Sequence, residues 1–106
     1  MATPQDLYNE ADKLKDDGKL PEAVARLNEA LAIDPGFALA HSALAVYYGR
    51  LGEHEKGIEH GLKVVELEPN EPFSYTAMSV TYQRAGRIPE AEDMMARAHM
   101  LQQQAR

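Results

Sequence analysis

The sequence contains no cysteine and no tryptophan among its 106 residues. Without cysteine the chain has no disulfide framework, no thiolate metal site and no cysteine nucleophile, which fits a reducing compartment. An excess of positive charge is also missing, since 17 acidic residues against 11 Lys and Arg give a formal net charge of -6. A phosphate backbone needs a basic face, so we expect no nucleic-acid partner.

Long apolar runs are absent as well. Residues 1–4 lead directly into polar sequence, and no segment reaches the roughly 20 apolar residues of a membrane helix. We therefore expect no signal segment, no membrane partner and a cytoplasmic location. Hydrophobic residues make up 44% of the chain and charged residues 26%, which is ordinary for a single folded domain.

The main feature of the sequence is an internal repeat with a period of 34 residues. Displaced by 34 positions, the chain aligns with itself without a gap, and Gly18, Gly52 and Gly86 coincide. Other coinciding columns are Leu14, Tyr48 and Tyr82; Ala11, Ala45 and Ser79; Ala23, Gly57 and Ala91; Ala30, Val64 and Ala98; and Ile33, Leu67 and Leu101. The period predicts one domain over 1–106 with repeats at 4–37, 38–71 and 72–105.

Each unit is predicted to be a pair of helices, because apolar residues recur at helical spacing in both of its halves. The glycine in the middle ends the first helix by adopting a left-handed cap. Pro21 and Pro89 fall in the first turn of a second helix, where a missing N–H is harmless. Thr3 and Asn70 are the predicted N-caps of the first and third units.

The period, the small residues in the eighth and twentieth places and the closing proline resemble the tetratricopeptide repeat (TPR) family over essentially the whole chain. The resemblance implies an all-α fold, a right-handed superhelical α-solenoid of three helix-turn-helix units with six helices. The chain departs from the family in the fourth place, where Leu7, His41 and Tyr75 replace the usual Trp. It departs again at Gly61, where a large residue is usual.

Gly57 and Gly61 lie four residues apart on one predicted helix and allow two interpretations. Each costs roughly 1 kcal/mol of helix stability against Ala, which would loosen the middle unit. Alternatively, the missing side chains let two helices approach closely.

TPR proteins hold extended peptides or a partner helix on a concave surface lined by the first helix of each unit. The resemblance therefore implies a non-enzymatic protein–protein interaction scaffold with a protein or peptide partner. The implied groove residues are Gln5, Tyr8, Asp12 and Asp16; Leu39, Ser42, Ala43, Val46 and Arg50; and Phe73, Thr76, Ala77, Val80 and Arg84. Most of this groove is apolar, with Arg50 and Arg84 along one edge. In an alternative interpretation, Leu39 and Phe73 pack at the junctions between units.

One TPR subclass grips the C-terminal carboxylates of heat-shock chaperones with Lys, Asn and Arg side chains. None of these residue types occupies the corresponding positions of this chain, and a carboxylate needs such donors to offset its desolvation. We therefore expect no binding of such tails. The corresponding positions hold Tyr8, Asp12, Ala43, Phe73 and Ala77.

The histidines do not form a metal motif, because His54 and His60 are six residues apart and a zinc helix motif needs a spacing of four. We expect His54 in the turn between helices, His60 on a solvated side and His41 in a packing role. No catalytic constellation, metal site or cofactor site is expected, and hence no enzyme.

An alternative function is self-assembly through the last helix as a weak homodimer. Family members often shield the final repeat with an extra helix, and the sequence predicts none here. The residues proposed for this contact are Met94, Met95, His99, Met100 and Leu101. Charge favours a head-to-tail contact, since residues 4–37 carry eight acids and four bases whereas 72–106 carry three acids and four bases. Simple variation on a solvated surface explains the same gradient.

Overall fold

The computed structural model describes residues 2–105, which contain six helices and no strand. The helices are α1 (Pro4–Asp16), α2 (Leu20–Ile33), α3 (Ala38–Arg50), α4 (His54–Leu67), α5 (Pro72–Arg84) and α6 (Ile88–Gln104). They pack as the pairs α1–α2, α3–α4 and α5–α6, and successive pairs stack through α2–α3 and α4–α5. The result is the all-α solenoid that the sequence predicts. The six helices fit the three expected units, whose boundaries stay a prediction.

The turn inside each pair has the same backbone conformation. Gly18, Gly52 and Gly86 have φ angles of 77°, 81° and 78°, a region that glycine enters without steric cost. The residue after each glycine donates its N–H to a carbonyl five positions earlier: Lys19 to Leu14, Glu53 to Tyr48, and Arg87 to Tyr82. The prediction that these glycines end the first helix of each pair is confirmed. Proline also lies in the first turn of α2 and α6, as predicted.

The two predicted helix caps have different outcomes. Thr3 caps α1 as expected, because its Oγ1 accepts the Asp6 N–H at 3.1 Å and the Asp6 carboxylate accepts the Thr3 N–H at 3.2 Å. The prediction for Asn70 is wrong by one residue. Glu71 is the cap of α5, and its carboxylate accepts the Phe73 N–H at 3.2 Å. Asn70 instead lies in the turn that a hydrogen bond from the Glu71 N–H closes.

The core of the described residues consists of two clusters, one in each half of the chain. The first joins α1, α2 and α3 around the fully buried Leu27 and Leu44. The second joins α4, α5 and α6 around Met78. Because each cluster draws on three consecutive helices, no helix pair buries its apolar face alone.

The two glycines of α4 lie against atoms of neighbouring helices. A Cβ on Gly57 would lie 2.9 Å from the carbonyl oxygen of Ala45, and one on Gly61 would lie 2.5 Å from the Met78 sulfur. Both distances are too short for real carbon contacts. Close helix approach, rather than loose packing, therefore explains Gly57, whose contact is with backbone. The Met78 side chain occupies the space that a large residue at position 61 would fill.

Candidate binding groove

The first helices of the three pairs, α1, α3 and α5, line a concave groove with a volume of about 690 Å³. It brings together residues whose spacing along the chain is wide but whose places in the units are equivalent. Gln5 and Asp16 are not among the lining residues. The predicted positions that do line it are Tyr8, Asp12, Leu39, Ser42, Ala43, Val46, Arg50, Phe73, Thr76, Ala77, Val80 and Arg84. Their role in binding stays a prediction.

Large apolar side chains are exposed in the groove. Phe73 is 72% exposed and Leu39 is 49% exposed, so neither is buried at a junction between helix pairs. Val46 and Val80, which are one period apart, are each 39% exposed. Exposed apolar side chains grouped in one concave surface are a common feature of binding sites.

Sequence reasoning missed several lining residues, among them Lys15 and Tyr47. Tyr47 is largely buried, and desolvation raises the pKa of its phenol, so the hydroxyl stays protonated at neutral pH. Lys15 has its pKa raised by hydrogen bonds to Asp12, at 3.0 Å, and to Asp16, at 3.3 Å. Tyr47 directly follows Val46 on α3, so its nearness to a predicted groove residue was the available signal. Lys15 carries a charge that its two partners largely offset.

Two histidines form a polar contact between α3 and α4. The Nδ1 atoms of His41 and His60 are 2.9 Å apart, and His41 Nε2 lies 2.8 Å from the Pro35 carbonyl oxygen. A carbonyl only accepts, so Nε2 of His41 carries a proton and donates it. His41 is buried, as expected, and the Tyr48 ring stacks on His60 at 5.6 Å.

The expectation that His60 lies on a solvated side is wrong, because α4 turns this half-buried residue toward α3. Desolvation lowers the pKa of His60, and the neighbouring His41 acts in the same direction. His54 begins α4 rather than lying in the turn. Within residues 2–105, no group of three or more His, Asp or Glu side chains could hold a metal ion.

The residues proposed for self-association have three different environments. Met94 is only 8% exposed, since it lies on the same face of α6 as the buried Ala91 and Ala98. The expectation that Met94 is available for a second chain is therefore wrong. Met95 and Leu101 are half-buried, and His99 and Met100 are exposed.

The sequence and the fold of this chain are similar to those of known proteins. The family description "TPR repeat" matches residues 11–52. The photosystem I assembly protein Ycf3 of Synechococcus sp. (strain CC9605) is 31% identical over 86 residues, which is 78% of this chain and 50% of that protein. The crystal structure of MamA superposes with a TM-score of 0.87 at 22% identity, over 97% of this chain and 60% of that one.

A second solved structure resembles the chain over nearly its whole length. The second TPR of Spaghetti (RPAP3), bound to the HSP90 peptide SRMEEVD, has a TM-score of 0.82 at 15% identity over 93% of this chain and 92% of that one. The fold is thus a solenoid of stacked helix hairpins. The chain belongs to the tetratricopeptide repeat family.

The chain spans half or less of the length of the first curated relatives it matches. Among the described residues, no helix is both long and apolar enough to cross a membrane.

Proposed function

We propose that the chain is a non-enzymatic protein–protein interaction scaffold that binds an extended peptide or a partner helix in the groove between α1, α3 and α5. The observation that carries this proposal is the 72% exposure of Phe73 inside a concave surface. Leu39, Val46 and Val80 extend the same apolar surface along the groove. Burying apolar area gives about 25 cal/mol per Å², so a segment that covers these side chains gains free energy.

The structural neighbour supports the same use of the fold. The second TPR of Spaghetti (RPAP3) was solved with a peptide bound, and its TM-score against this chain is 0.82. Its identity to this chain is 15%, so the likeness concerns the fold and not the peptide. The ligand of this chain must be argued from its own groove.

Phe73→Ala tests the proposal. A displayed library of random 12-residue peptides is selected on the immobilised chain, and the affinities of the binders are measured for each variant. We expect Phe73→Ala to weaken binding about tenfold or more, as truncation of an aromatic anchor does. Its melting temperature should change little, because an exposed side chain contributes little to the core.

Two control variants accompany Phe73→Ala. Ile33→Ala removes an apolar side chain that is 57% exposed on α2, outside the groove, and should leave peptide binding unchanged. Met78→Ala removes a fully buried side chain and should cost about 2–5 kcal/mol of stability. Unchanged affinity in Phe73→Ala, or a loss of stability like that of Met78→Ala, would contradict the proposal for this residue.

The groove is not expected to hold chaperone tails by their terminal carboxylate. Calorimetric titration with the peptide SRMEEVD should show no binding that depends on this carboxylate, because the cationic and amide donors of that clamp are replaced by side chains such as Asp12, Ala43 and Ala77. Micromolar affinity that disappears when the terminal carboxylate is amidated would refute this expectation.

Self-association through α6 is the second candidate function. Met100 is 58% exposed, and Ile88 and Met95 of the same helix line a shallow depression. We expect weak, concentration-dependent dimers in light scattering, reduced by Met100→Glu. Met94→Glu is unsuitable as a test because Met94 is buried. A clean monomer at high concentration would exclude this candidate and leave the groove proposal intact.

A further inference from the structure

We propose that the groove selects a partner segment with a carboxylate at the end formed by Arg50 and Arg84, next to apolar side chains that cover Val46 and Val80. This inference rests on the proposed function and assigns the chemistry of its ligand. It concerns a charge preference at one end of the groove. The chaperone clamp would use other positions, which lack the donors it needs.

Arg50 and Arg84 differ from the other arginines in their partners. Within residues 2–105, neither has a carboxylate within 4.0 Å, although the chain as a whole has an excess of acidic groups. The other three arginines in this range are each paired: Arg26 with Glu29, Arg87 with Glu55, and Arg97 with Asp93. Among the arginines that the structure describes, those without a carboxylate partner are therefore the two that line the groove.

The side chain of Arg84 reaches the end of the helix that carries Arg50. Arg84 Cδ lies 3.9 Å from the position that a Cβ on Gly49 would take, so the stem of Arg84 runs beside the residue that precedes Arg50. Both arginines occupy the last turn of their helices and are exposed. A guanidinium presents several donors in a planar fork that suits a carboxylate.

Each arginine also lies directly beside an apolar contact. Val46 and Arg50 are four residues apart on α3, and so are Val80 and Arg84 on α5, which places each pair on one helix face. A ligand that covers the two valines thus brings its next side chain to the guanidinium groups.

The α1 side of the groove has the opposite character. Asp12 lines it, and the charge of Lys15 is taken up by Asp12 and Asp16. An acidic ligand side chain is repelled near Asp12 and attracted at the arginine end. Glu68, the residue after α4, is the other carboxylate that lines the groove, so the arginines are where a ligand carboxylate is attracted.

A purely structural role for the arginines makes a different prediction. A cation in the last turn of a helix interacts favourably with the helix dipole. In that case, replacing Arg50 or Arg84 lowers the melting temperature and leaves the choice of ligand unchanged.

The test selects random 12-residue displayed peptides on the wild-type chain and on the double variant Arg50→Glu/Arg84→Glu. We expect Asp and Glu to be enriched beside apolar residues on the wild type, and Lys and Arg to replace them on the charge-reversed chain. A synthetic wild-type binder should lose about tenfold or more in affinity with Arg50→Gln/Arg84→Gln. Added salt should weaken it further.

Two control variants keep the result interpretable. Arg50→Lys/Arg84→Lys preserves the charge and should retain the acidic preference even if a glutamate variant fails to fold. Arg97→Gln removes an arginine on α6, outside the groove, and should leave affinity unchanged.

The outcomes separate this inference from the proposed function. Peptides that need Phe73 but show no acidic enrichment and bind the glutamine variant equally well would overturn the charge inference alone. A selection that yields no peptide dependent on Phe73 would overturn the binding function, and the inference with it.

Discussion

The middle and third helix pairs solve the same packing problem with different chemistry. His41 and His60 of the middle pair correspond, one 34-residue period later, to Tyr75 and Met94 of the third pair. His41 Nε2 and the Tyr75 hydroxyl each donate to the carbonyl of the closing proline before their helix, both at 2.8 Å. In both pairs an aromatic ring, His41 or Tyr75, thus holds the preceding turn by a hydrogen bond. The other position is polar in the middle pair (His60) and apolar in the third (Met94).

The contact between the two helices of each pair, here called the seam, shows a second difference. In the middle pair, the Ala45 carbonyl oxygen lies so close to Gly57 that a side chain has no room. In the third pair, the equivalent residues are Ser79 and Ala91, and the Ser79 hydroxyl donates to the Ala91 carbonyl at 2.8 Å. One seam is closed by the absence of a side chain and the other by a buried hydrogen bond.

The largest effect is expected from filling the glycine seam. Gly57→Leu should cost about 3 kcal/mol, because the clash is with the backbone of Ala45 and not with a mobile side chain. Urea unfolding measures this free energy. Ala91→Gly in the third pair should cost only about 1 kcal/mol, as ordinary helix propensity predicts. A gain in stability for Gly57→Leu would show that the close approach does not limit the residue.

A smaller effect is expected from giving the middle pair the chemistry of the third. His60→Met alone leaves the buried His41 Nδ1 without its partner, which should cost about 1–3 kcal/mol. The double variant His41→Tyr/His60→Met restores the combination found in the third pair and should recover most of this loss. Equal stability of the single and double variants would show that the two histidines are not coupled.

His60 also makes stability depend on pH. Burial lowers the pKa of His60 from its ordinary 6.5, so between the two values the folded chain binds fewer protons than the unfolded chain. The His60 contribution to the free energy of unfolding therefore falls as pH drops below about 6.5 and levels off below the folded pKa. Urea titrations at pH 5 and pH 8 should show this drop in the wild type and a smaller one in His41→Tyr/His60→Met.

The smallest effect is expected at the third seam. Ser79→Ala removes the buried hydrogen bond to Ala91 and should cost about 1 kcal/mol in urea unfolding. This substitution gives the third pair the residue type that Ala45 has at the equivalent position of the middle pair. Since Ala91 has a side chain and Gly57 has none, the helices of the third pair cannot close to the same distance. A neutral Ser79→Ala would show that this hydrogen bond does not contribute to closing the seam.

The fold could be read from the sequence because its signals are local and repeated three times. A glycine cap depends on a few neighbouring residues, and the 34-residue period shows how the pairs stack. The direction of individual side chains was harder to predict. His60 and Met94 are one period apart and both turn toward the preceding helix, although their chemical types differ. Periodicity in position, rather than residue type, was the signal for their orientation.

The apolar part of the groove followed from equivalent places such as Val46 and Val80. Its charge arrangement did not, because pairing depends on three-dimensional neighbours. Lys15 is offset by residues on its own helix, whereas Arg50 and Arg84 have no carboxylate within 4.0 Å in residues 2–105. The sequence therefore predicts where the groove is, and the structure adds which of its charges are available.

The glycine turns within the pairs have a consequence for how the chain folds. Each turn is closed by hydrogen bonds between residues no more than five apart, so a hairpin forms without bringing distant segments together. Chains dominated by such local contacts fold quickly, and a formed hairpin serves as a template for its neighbour. Folding can begin at any of the three hairpins and spread in either direction along the stack.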